Sequence, residues 1–266
     1  MERQLEISID RVVESMKNEI QVLQEVGRKE FQTHTTRIKN LYQKVIDNAR
    51  TTIHSEEKGI LITNITTLKE YIHNCIKDGE YVLDIETTGL DPFNDLIVGI
   101  CLYSPSQKPA YIPMLHTNID NTLIEGQLEV AVVKQHITHL MESEALWINH
   151  NIKFDAKFLM YRWGIKPNNM YWDTQIGAFI LNENEPTHAL KPLYAKYITK
   201  SKDKQSYKDL FEKTPFNYIP LDLAEVYGAN DGTKTYKLYQ FQKQYLNPNH
   251  ERGDFKQLYK VFREIE

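Results

Sequence analysis

The pattern of apolar and polar residues changes near residue 52 of this chain. Before that point, apolar side chains recur at intervals of three and four residues, which places them on one face of an amphipathic helix. A second helical stretch is predicted over 36–49. We therefore predict a helical N-terminal extension over 1–52 and a separate domain over 53–266. The apolar face of the first stretch consists of Val12, Met16, Ile20, Leu23 and Val26.

In the second part, short apolar segments alternate with turn-rich segments and helical patterns, as in mixed α/β domains. Strands over 81–86, 96–104 and 109–114 are separated by turns, which predicts an antiparallel meander. Shorter strands are predicted over 59–63 and 146–150. The predicted fold class is α/β, with a mixed β-sheet flanked by helices. Helices are predicted over 67–76, 128–141, 154–163, 173–182, 188–198, 221–244 and 255–265.

Composition excludes several classes of protein. The formal net charge of -4 excludes a strongly basic surface, so any nucleic-acid contact must come from a local patch. Cys75 and Cys101 form neither a zinc-binding pattern nor a disulfide framework, and their apolar surroundings predict buried thiols. The longest apolar runs, 96–103 and 176–181, are too short to span a bilayer, and the N-terminus lacks a signal peptide's apolar core. We expect a cytoplasmic protein without a membrane partner.

Two carboxylates interrupt the apolar strand "YVLDIE". Asp84 and Glu86 are two residues apart, so they point to the same face of the strand. Uncompensated burial of two like charges is costly, whereas a divalent cation such as Mg²⁺ or Mn²⁺ prefers such oxygen ligands. By itself the pair is more typical of an edge strand that faces water.

Two further acidic motifs lie later in the chain. Asp155 opens a predicted helix after a short strand, where it could simply complement the helix dipole. Tyr227 and Asp231 are four residues apart on a predicted helix, so phenol and carboxylate share one face. Each motif has a purely structural explanation when it is taken alone.

The order of the motifs is more specific than any one of them. Asp-x-Glu on a strand, Asp after Asn-x-x-Phe, and Tyr-x-x-x-Asp on a late helix resemble the DEDDy 3'-5' exonucleases. The resemblance is closer to the proofreading exonuclease domain of family A DNA polymerases, and it runs from about residue 59 to the C-terminus. The sequence departs from the family pattern at Asn230, where the family commonly has an acidic residue directly before the last Asp. The supporting stretches are 110–116, 149–155, 172–182 and 216–238.

This resemblance implies a ribonuclease H-like fold and a site for two divalent cations, Mg²⁺ or Mn²⁺. Asp84, Glu86 and Asp231 would hold the first cation. Asp84 would also bridge to the second, which Asp155 would support directly or through water. Tyr227 would orient the attacking water, because a neutral phenol with a pKa near ~10 is a poor base.

The resemblance also implies a substrate-binding set. Leu90 matches a position that wedges against the terminal base, although a plain core leucine is the alternative. Asn151 and Lys153 fall near the expected phosphate path, and Thr87 follows the first acidic pair.

Some neighbouring residues have their own predictions. Tyr207 and Phe211 lie at the end of a lysine-rich segment and are candidates for stacking on bases. His116 is typical of a structural histidine, and Asp173 is predicted to cap the helix that follows it.

The expected function is removal of nucleotides from single-stranded or frayed DNA 3' ends, as in proofreading. The expected partners are a DNA 3' end and a polymerase domain in a longer chain, in a bacterial or viral replication context; a free-standing exonuclease is the alternative. An RNase D-like exoribonuclease and a non-catalytic nucleic-acid-binding scaffold are the rival functions.

Overall fold

The computed structural model describes residues 2–53, 58–201 and 206–265, with side chains from residue 14 onward apart from residue 15. One continuous helix, α1 (Glu2–Ile53), replaces the two helical stretches that the sequence predicts near the N-terminus. The two are joined because this segment contains no proline and only one glycine, Gly27. Contacts between residues divide the chain into two compact units, Met1–Asp47 and Asn48–Glu266. A functional boundary after residue 52 stays a prediction.

The second unit contains a six-stranded mixed sheet with the strand order β1-β4-β3-β2-β5-β6. The predicted meander is confirmed, because β2, β3 and β4 pair antiparallel in sequence. Strand β1 pairs parallel with β4, and β5 pairs parallel with both β2 and β6. The strands are β1 (Ile60–Leu61), β2 (Glu80–Thr87), β3 (Ile97–Tyr103), β4 (Ala110–Pro113), β5 (Leu146–Asn149) and β6 (Met170–Asp173).

Helices cover both faces of this sheet. On one face, residues of β2 such as Leu83 and Ile85 pack with residues of α2 and α3, including Leu68 and Ile137, in the main hydrophobic core. On the other face, α8 crosses β2, β3, β4 and β5. The described helices after α1 are α2 (Ile65–Asp78), α3 (Val130–Met141), α4 (Ile152–Phe158), α5 (Thr174–Leu181), α6 (Leu190–Tyr194), α7 (Tyr207–Phe211), α8 (Leu221–Gln242) and α9 (Gly253–Ile265).

Three local features differ from the sequence-based prediction. Strand β6 was missed because its residues adjoin a predicted helix over 173–182, which begins at Thr174 in the structure. The helices predicted over 154–163 and 188–198 each end in a π-helical turn, Leu159–Trp163 and Ala195–Thr199. Helix α7 was missed because its five residues are too few to show a helical repeat. No described helix is long and apolar enough to cross a membrane.

Candidate active site

The alternation of β2 places two carboxylates on the face of the sheet that α8 covers. Tyr81, Leu83 and Ile85 enter the core on the opposite face, so Asp84 and Glu86 point toward α8. The explanation of an edge strand facing water is wrong, because β2 lies inside the sheet between β3 and β5.

Strand β3 adds a thiol to these two carboxylates. Cys101 is the direct cross-strand partner of Asp84 in the β2–β3 ladder. Ligand atoms of Asp84, Glu86 and Cys101 lie within 4.8 Å of one another. Cys101 is buried, as the sequence predicted, but its place beside the acidic pair was not predictable from local sequence.

Helix α8 brings Tyr227 and Asp231 to the same place from about 145 residues away. It approaches the sheet closely at Gly228, where a Cβ atom would lie 2.4 Å from Cys101 Sγ and 3.7 Å from Glu86 Oε1. Because Gly228 has no side chain, the helical turn that carries Tyr227 and Asp231 can lie against β2 and β3.

Asp155 reaches the site from α4. It is 1% exposed. Its Oδ1 accepts a 2.8 Å hydrogen bond from the Ile85 backbone N–H, and its Oδ2 accepts one of 2.8 Å from Asn149 Nδ2. Asp155 does lie in the first turn of α4, but its burial and these two bonds tie it to β2 and β5. Its position is therefore not explained by the helix dipole alone.

The four carboxylates interact electrostatically. Burial raises the pKa of Asp84 to about 7, and the Asp231 charge adds to this shift. Burial, followed by the charges of Asp84 and Asp231, holds the pKa of Glu86 well above its ordinary range. Burial and the Asp84 charge act in the same direction on the pKa of Asp155. Without a cation, the surroundings therefore do not stabilise a negative charge on every one of these carboxyl groups at neutral pH, and some of them keep a proton.

One cation that sequence reasoning missed partly offsets this charge. Lys191 Nζ lies 3.5 Å from Asp231 Oδ1 and 3.6 Å from the centroid of the Tyr227 ring. Its side chain is only 16% exposed. Lys234 Nζ, one helical turn after Asp231, lies 3.6 Å from the same oxygen. A lysine within the otherwise apolar run "ALKPL" was the only available sequence signal for Lys191.

The Tyr227 ring is held by an aromatic cluster. Its centroid lies 5.7 Å from those of Tyr207 and Phe211, and 6.1 Å from that of Phe216. Burial, with the nearby Asp231 charge, raises the pKa of Tyr227 well above its ordinary value. The prediction that Phe211 stacks on bases is wrong, because Phe211 is fully buried. Tyr207 is partly exposed.

His116 fixes the segment that leads into α8. Its Nδ1 lies 2.8 Å from the Ile219 carbonyl oxygen, and its Nε2 lies 2.6 Å from the Tyr111 hydroxyl. Burial lowers the pKa of His116 to about 4, so the ring is neutral. The prediction of a structural histidine is confirmed.

A cavity of about 310 Å³ opens beside the acidic cluster. Glu86, Thr87, Leu90 and Tyr227 all line it. Leu90 is 83% exposed, so the alternative of a core leucine is wrong. The Thr87 hydroxyl donates to the Gly89 carbonyl oxygen at 2.6 Å, which shapes the turn that presents Leu90.

Asn151 and Lys153 line a second cavity of about 400 Å³, which also includes Leu90. Asn151 has left-handed backbone angles, φ 64° and ψ 47°, and its N–H donates to Asp173 Oδ1 at 3.0 Å. Asp173 also accepts from Gln175 N at 2.8 Å, so it caps α5 as predicted and anchors the start of α4. Lys153 is exposed.

The residues of the cluster fit divalent cations. The donors from Asp84, Glu86, Asp155 and Asp231 are carboxylate oxygens, which suit hard cations. Asp231 Oδ1 is buried and has no hydrogen-bond partner among the described residues. Its nearest cations are the Nζ atoms of Lys191 and Lys234, at 3.5 and 3.6 Å. A cation between these oxygens would relieve the repulsion that, together with burial, raises the pKa values of Asp84, Glu86 and Asp155.

The mixed sheet with acidic residues converging from β2, α4 and α8 has the ribonuclease H-like exonuclease fold. Solved structures with this fold include NrnC of Brucella melitensis (TM-score 0.51, 18% identity, covering 70% of this chain and 80% of that chain). They also include the catalytic core of RRP6 from Trypanosoma brucei (TM-score 0.57, 15% identity, covering 79% and 53%).

Residues 60–246 match the model of the 3'-5' exonuclease family of the DNA polymerase A type, and the chain belongs to this family. DNA polymerase I of Borreliella burgdorferi is 28% identical over 200 residues, which is 73% of this chain and 20% of that protein. The DNA polymerase of Escherichia phage T5 is 27% identical over 231 residues, which is 77% of this chain and 25% of that protein. The match thus spans a fifth to a quarter of the length of these relatives.

Proposed function

We propose that this protein is a 3'-5' exonuclease that removes nucleotides one at a time from single-stranded or frayed DNA 3' ends. The observation that carries the proposal is the convergence of four carboxyl groups beside an open cavity, where burial and mutual repulsion raise the pKa values of Asp84, Glu86 and Asp155. Membership of the 3'-5' exonuclease family supports the same reaction.

In this proposal, Asp84, Glu86, Asp155 and Asp231 hold two divalent cations, Mg²⁺ or Mn²⁺. Bound there, the cations would supply an activated water and would stabilise the leaving 3' oxygen. The carboxylates would position that chemistry beside the cavity that Glu86 lines, and the sheet and α8 exclude bulk water from behind it.

Tyr227 orients the attacking water in this mechanism. Its hydroxyl keeps its proton at neutral pH because burial and the carboxylates hold its pKa well above the ordinary value. A protonated hydroxyl can hydrogen-bond a water without removing its proton. Three packed aromatic rings and the Lys191 ammonium group limit rotation of the phenol.

Thr87, Leu90, Asn151 and Lys153 are the proposed substrate-binding residues. The exposed Leu90 side chain is suited to wedge against the terminal base at the edge of the cavity. Asn151 and Lys153 are exposed polar residues on the adjoining cavity, where they would meet the phosphates of the strand.

The most direct test uses purified protein and one DNA oligonucleotide labelled at either end. We expect the 3' label to be released first as a mononucleotide with Mg²⁺ or Mn²⁺, and no release in EDTA. A Tyr227→Phe variant is expected to keep its fold and lose most of its activity. Release of the 5' label first would contradict the 3'-5' polarity. No release with either metal would contradict the exonuclease activity and favour a non-catalytic nucleic-acid-binding scaffold.

An RNA oligonucleotide of the same sequence separates DNA from RNA specificity. Faster digestion of DNA is expected. Faster digestion of RNA would favour an RNase D-like exoribonuclease.

We further propose that the domain proofreads for a polymerase domain in the same polypeptide, since the relatives quoted above are DNA polymerases. An antibody raised against this domain should then detect a native polypeptide much longer than 266 residues in its source cells. A native polypeptide of this length would instead indicate a free-standing exonuclease.

A further inference from the structure

An exposed aromatic pair lies next to the candidate active site, and neither the acidic cluster nor Tyr227 accounts for it. Phe93 and Tyr161 are 64% and 56% exposed, yet their ring centroids are only 4.5 Å apart. They come from different elements, since Phe93 follows β2 in a turn and Tyr161 lies in the π-helical turn after α4. Large exposed aromatic groups that meet in this way form an apolar patch on a polar surface.

The pair is held in place by the backbone around it. Arg162 Nη1 donates to the Phe93 carbonyl oxygen at 3.1 Å, which joins the turn to the helix. The Phe93 N–H donates to Asp91 Oδ1 at 2.9 Å, and Asn94 Nδ2 donates to the other oxygen of that carboxylate at 2.6 Å. The Asp91 charge is therefore engaged within its own turn. π-helical turns of this kind are often found at functional sites.

The aromatic pair shares a cavity with positive charge. Phe93 and Tyr161 line the cavity of about 400 Å³ together with Lys153 and Lys157. Both lysines are exposed. Aromatic faces beside lysines form a surface suited to single-stranded nucleic acid, because bases stack on the rings and phosphates pair with the ammonium groups.

This cavity adjoins the one beside the acidic cluster. Leu90 and Phe154 line both cavities, so they form the boundary between them. A strand whose terminal nucleotide occupies the cavity beside Glu86 and Tyr227 would pass Leu90 and enter the second cavity.

We propose that Phe93 and Tyr161 form a stacking platform for the bases immediately 5' of the terminal nucleotide, with Lys153 and Lys157 on their phosphates. The inference rests on the proposed exonuclease function and narrows its substrate to single strands longer than a dinucleotide. A dinucleotide would leave most of the platform without a partner, and a paired end would have to fray before its bases reached the rings.

Binding tests the platform independently of cleavage. The affinity of the protein for a fluorescent oligothymidylate of about ten nucleotides is measured by anisotropy in EDTA. Tyr161→Ala and Phe93→Ala are each expected to weaken binding about tenfold, the loss typical of one stacked base. Tyr161→Phe should bind like the wild type, and Tyr161→Leu should not, because stacking requires an aromatic face. Phe179→Ala, which removes another exposed aromatic ring, is the matched control.

Cleavage rates then show where the platform acts. Tyr161→Ala is expected to lower kcat/KM about tenfold on the long strand and by much less on a dinucleotide, which has only one base 5' of its terminal nucleotide. Lys157→Gln should weaken binding of the long strand and reduce the slope of its salt dependence by about one.

The outcomes separate the two proposals. Long-strand binding by Tyr161→Ala or Tyr161→Leu equal to that of the wild type overturns the platform, even if the protein is an active exonuclease. Equal losses on the dinucleotide and the long strand also overturn it, because they indicate a structural role. If Tyr161→Ala loses binding of the long strand but the wild type cleaves neither substrate, the platform is supported and the exonuclease function is contradicted.

Discussion

Asp84 lies where a charge is costly to the folded structure, and the proposed function would explain why an acidic residue is there. Its carboxyl is surrounded by protein and faces other acidic groups, and both effects disfavour its charged form. A residue selected for stability alone at this position of a buried strand would be apolar. The charge is understandable if a cation completes the site.

Asp84→Asn should therefore reduce activity without reducing stability. We expect cleavage with Mg²⁺ to fall at least about 100-fold, because the substitution removes an anionic ligand from the site. The melting temperature in EDTA should not fall, since the amide avoids the cost of a buried charge. Initial rates and thermal melts measure the two effects.

Glu125→Gln, at an exposed position that lines neither cavity, is the control for loss of one negative charge. Wild-type cleavage by Asp84→Asn would refute the ligand assignment.

Leu90 allows a cleaner test of substrate binding because it is almost fully exposed. Leu90→Ala should change the free energy of unfolding by less than about 0.5 kcal/mol. If Leu90 is the proposed wedge, the variant should lower cleavage about tenfold, and more on a paired 3' end than on a single strand, because a wedge would separate the terminal base from its neighbours.

Leu123→Ala removes a similar exposed side chain, at 63% exposure, outside both cavities. Similar losses for both variants, or none for either, would show that Leu90 is not a wedge.

At the scale of elements, the site depends on how closely α8 lies on the sheet. Two glycines of this helix, Gly228 and Gly232, face the strands, but with different clearances. A Cβ at Gly228 would lie 2.4 Å from Cys101 Sγ, whereas a Cβ at Gly232 would lie 3.2 Å from Tyr103 Cβ. The first distance requires a substantial shift of the helix or the strand, whereas the second requires Tyr103 to move by only a few tenths of an ångström.

Gly228→Ala should push α8 away from β3 and move Tyr227 and Asp231. We expect a loss of about 1–3 kcal/mol in the free energy of unfolding and a loss of cleavage. Gly232→Ala is the matched control and should be much milder, because alanine favours the helix by up to about 1 kcal/mol.

Adding Cys101→Ala to Gly228→Ala removes the sulfur atom that the new Cβ would meet. The double variant should recover part of the lost stability and part of the lost cleavage. Urea unfolding measures the first and initial rates measure the second. If Gly228→Ala and Gly232→Ala have equal effects, the close approach at Gly228 does not determine the site.

The elements also show why some of the sequence-based predictions failed. A strand of four residues such as β6 and a helix of five such as α7 contain too few residues for a period to be recognised. Phe211 has the composition of a stacking residue, but α7 turns it into the cluster around Tyr227. Only the packing of distant segments determines which aromatic residues stay exposed.

For the whole molecule, the acidic cluster should link folding to pH and, if the proposed function is correct, to metal. The pKa of Asp84 is raised from 3.8 to about 7, so the folded state binds more protons than the unfolded state between these values. The contribution of Asp84 to the free energy of unfolding of the metal-free protein should therefore be most favourable below about pH 4. It should decline as the pH rises from about 4 to about 7. The raised pKa values of Glu86 and Asp155 act in the same direction.

Urea unfolding in EDTA at several pH values measures this dependence. Asp84→Asn should flatten part of the decline, and Mn²⁺ at pH 8 should stabilise the wild type by binding only the folded state. The expected pH linkage would be contradicted if the stability of the wild type rose through this range relative to that of Asp84→Asn. The expected metal linkage would be contradicted if Mn²⁺ did not change the stability of the wild type.

The sequence by itself determined the features that depend on local patterns. The alternation of "YVLDIE" specified that Asp84 and Glu86 share a face, and the spacing of Tyr227 and Asp231 specified that they share a side of one helix. These relations follow from the repeat of a strand or helix wherever the element lies. The order of the motifs then indicated the family to which the chain belongs.

Only the tertiary structure decided which of these faces meet and what lies between them. Lys191, Cys101 and the pair of Phe93 and Tyr161 carry no distinctive local motif, and their neighbours come from distant parts of the chain. Their positions depend on strand order, on the path of α8 and on the π-helical turn after α4. The physical reason is that the packing of distant segments sets which side chains lie close together and which are buried. Distance and burial then decide which groups carry a charge and which rings stay exposed.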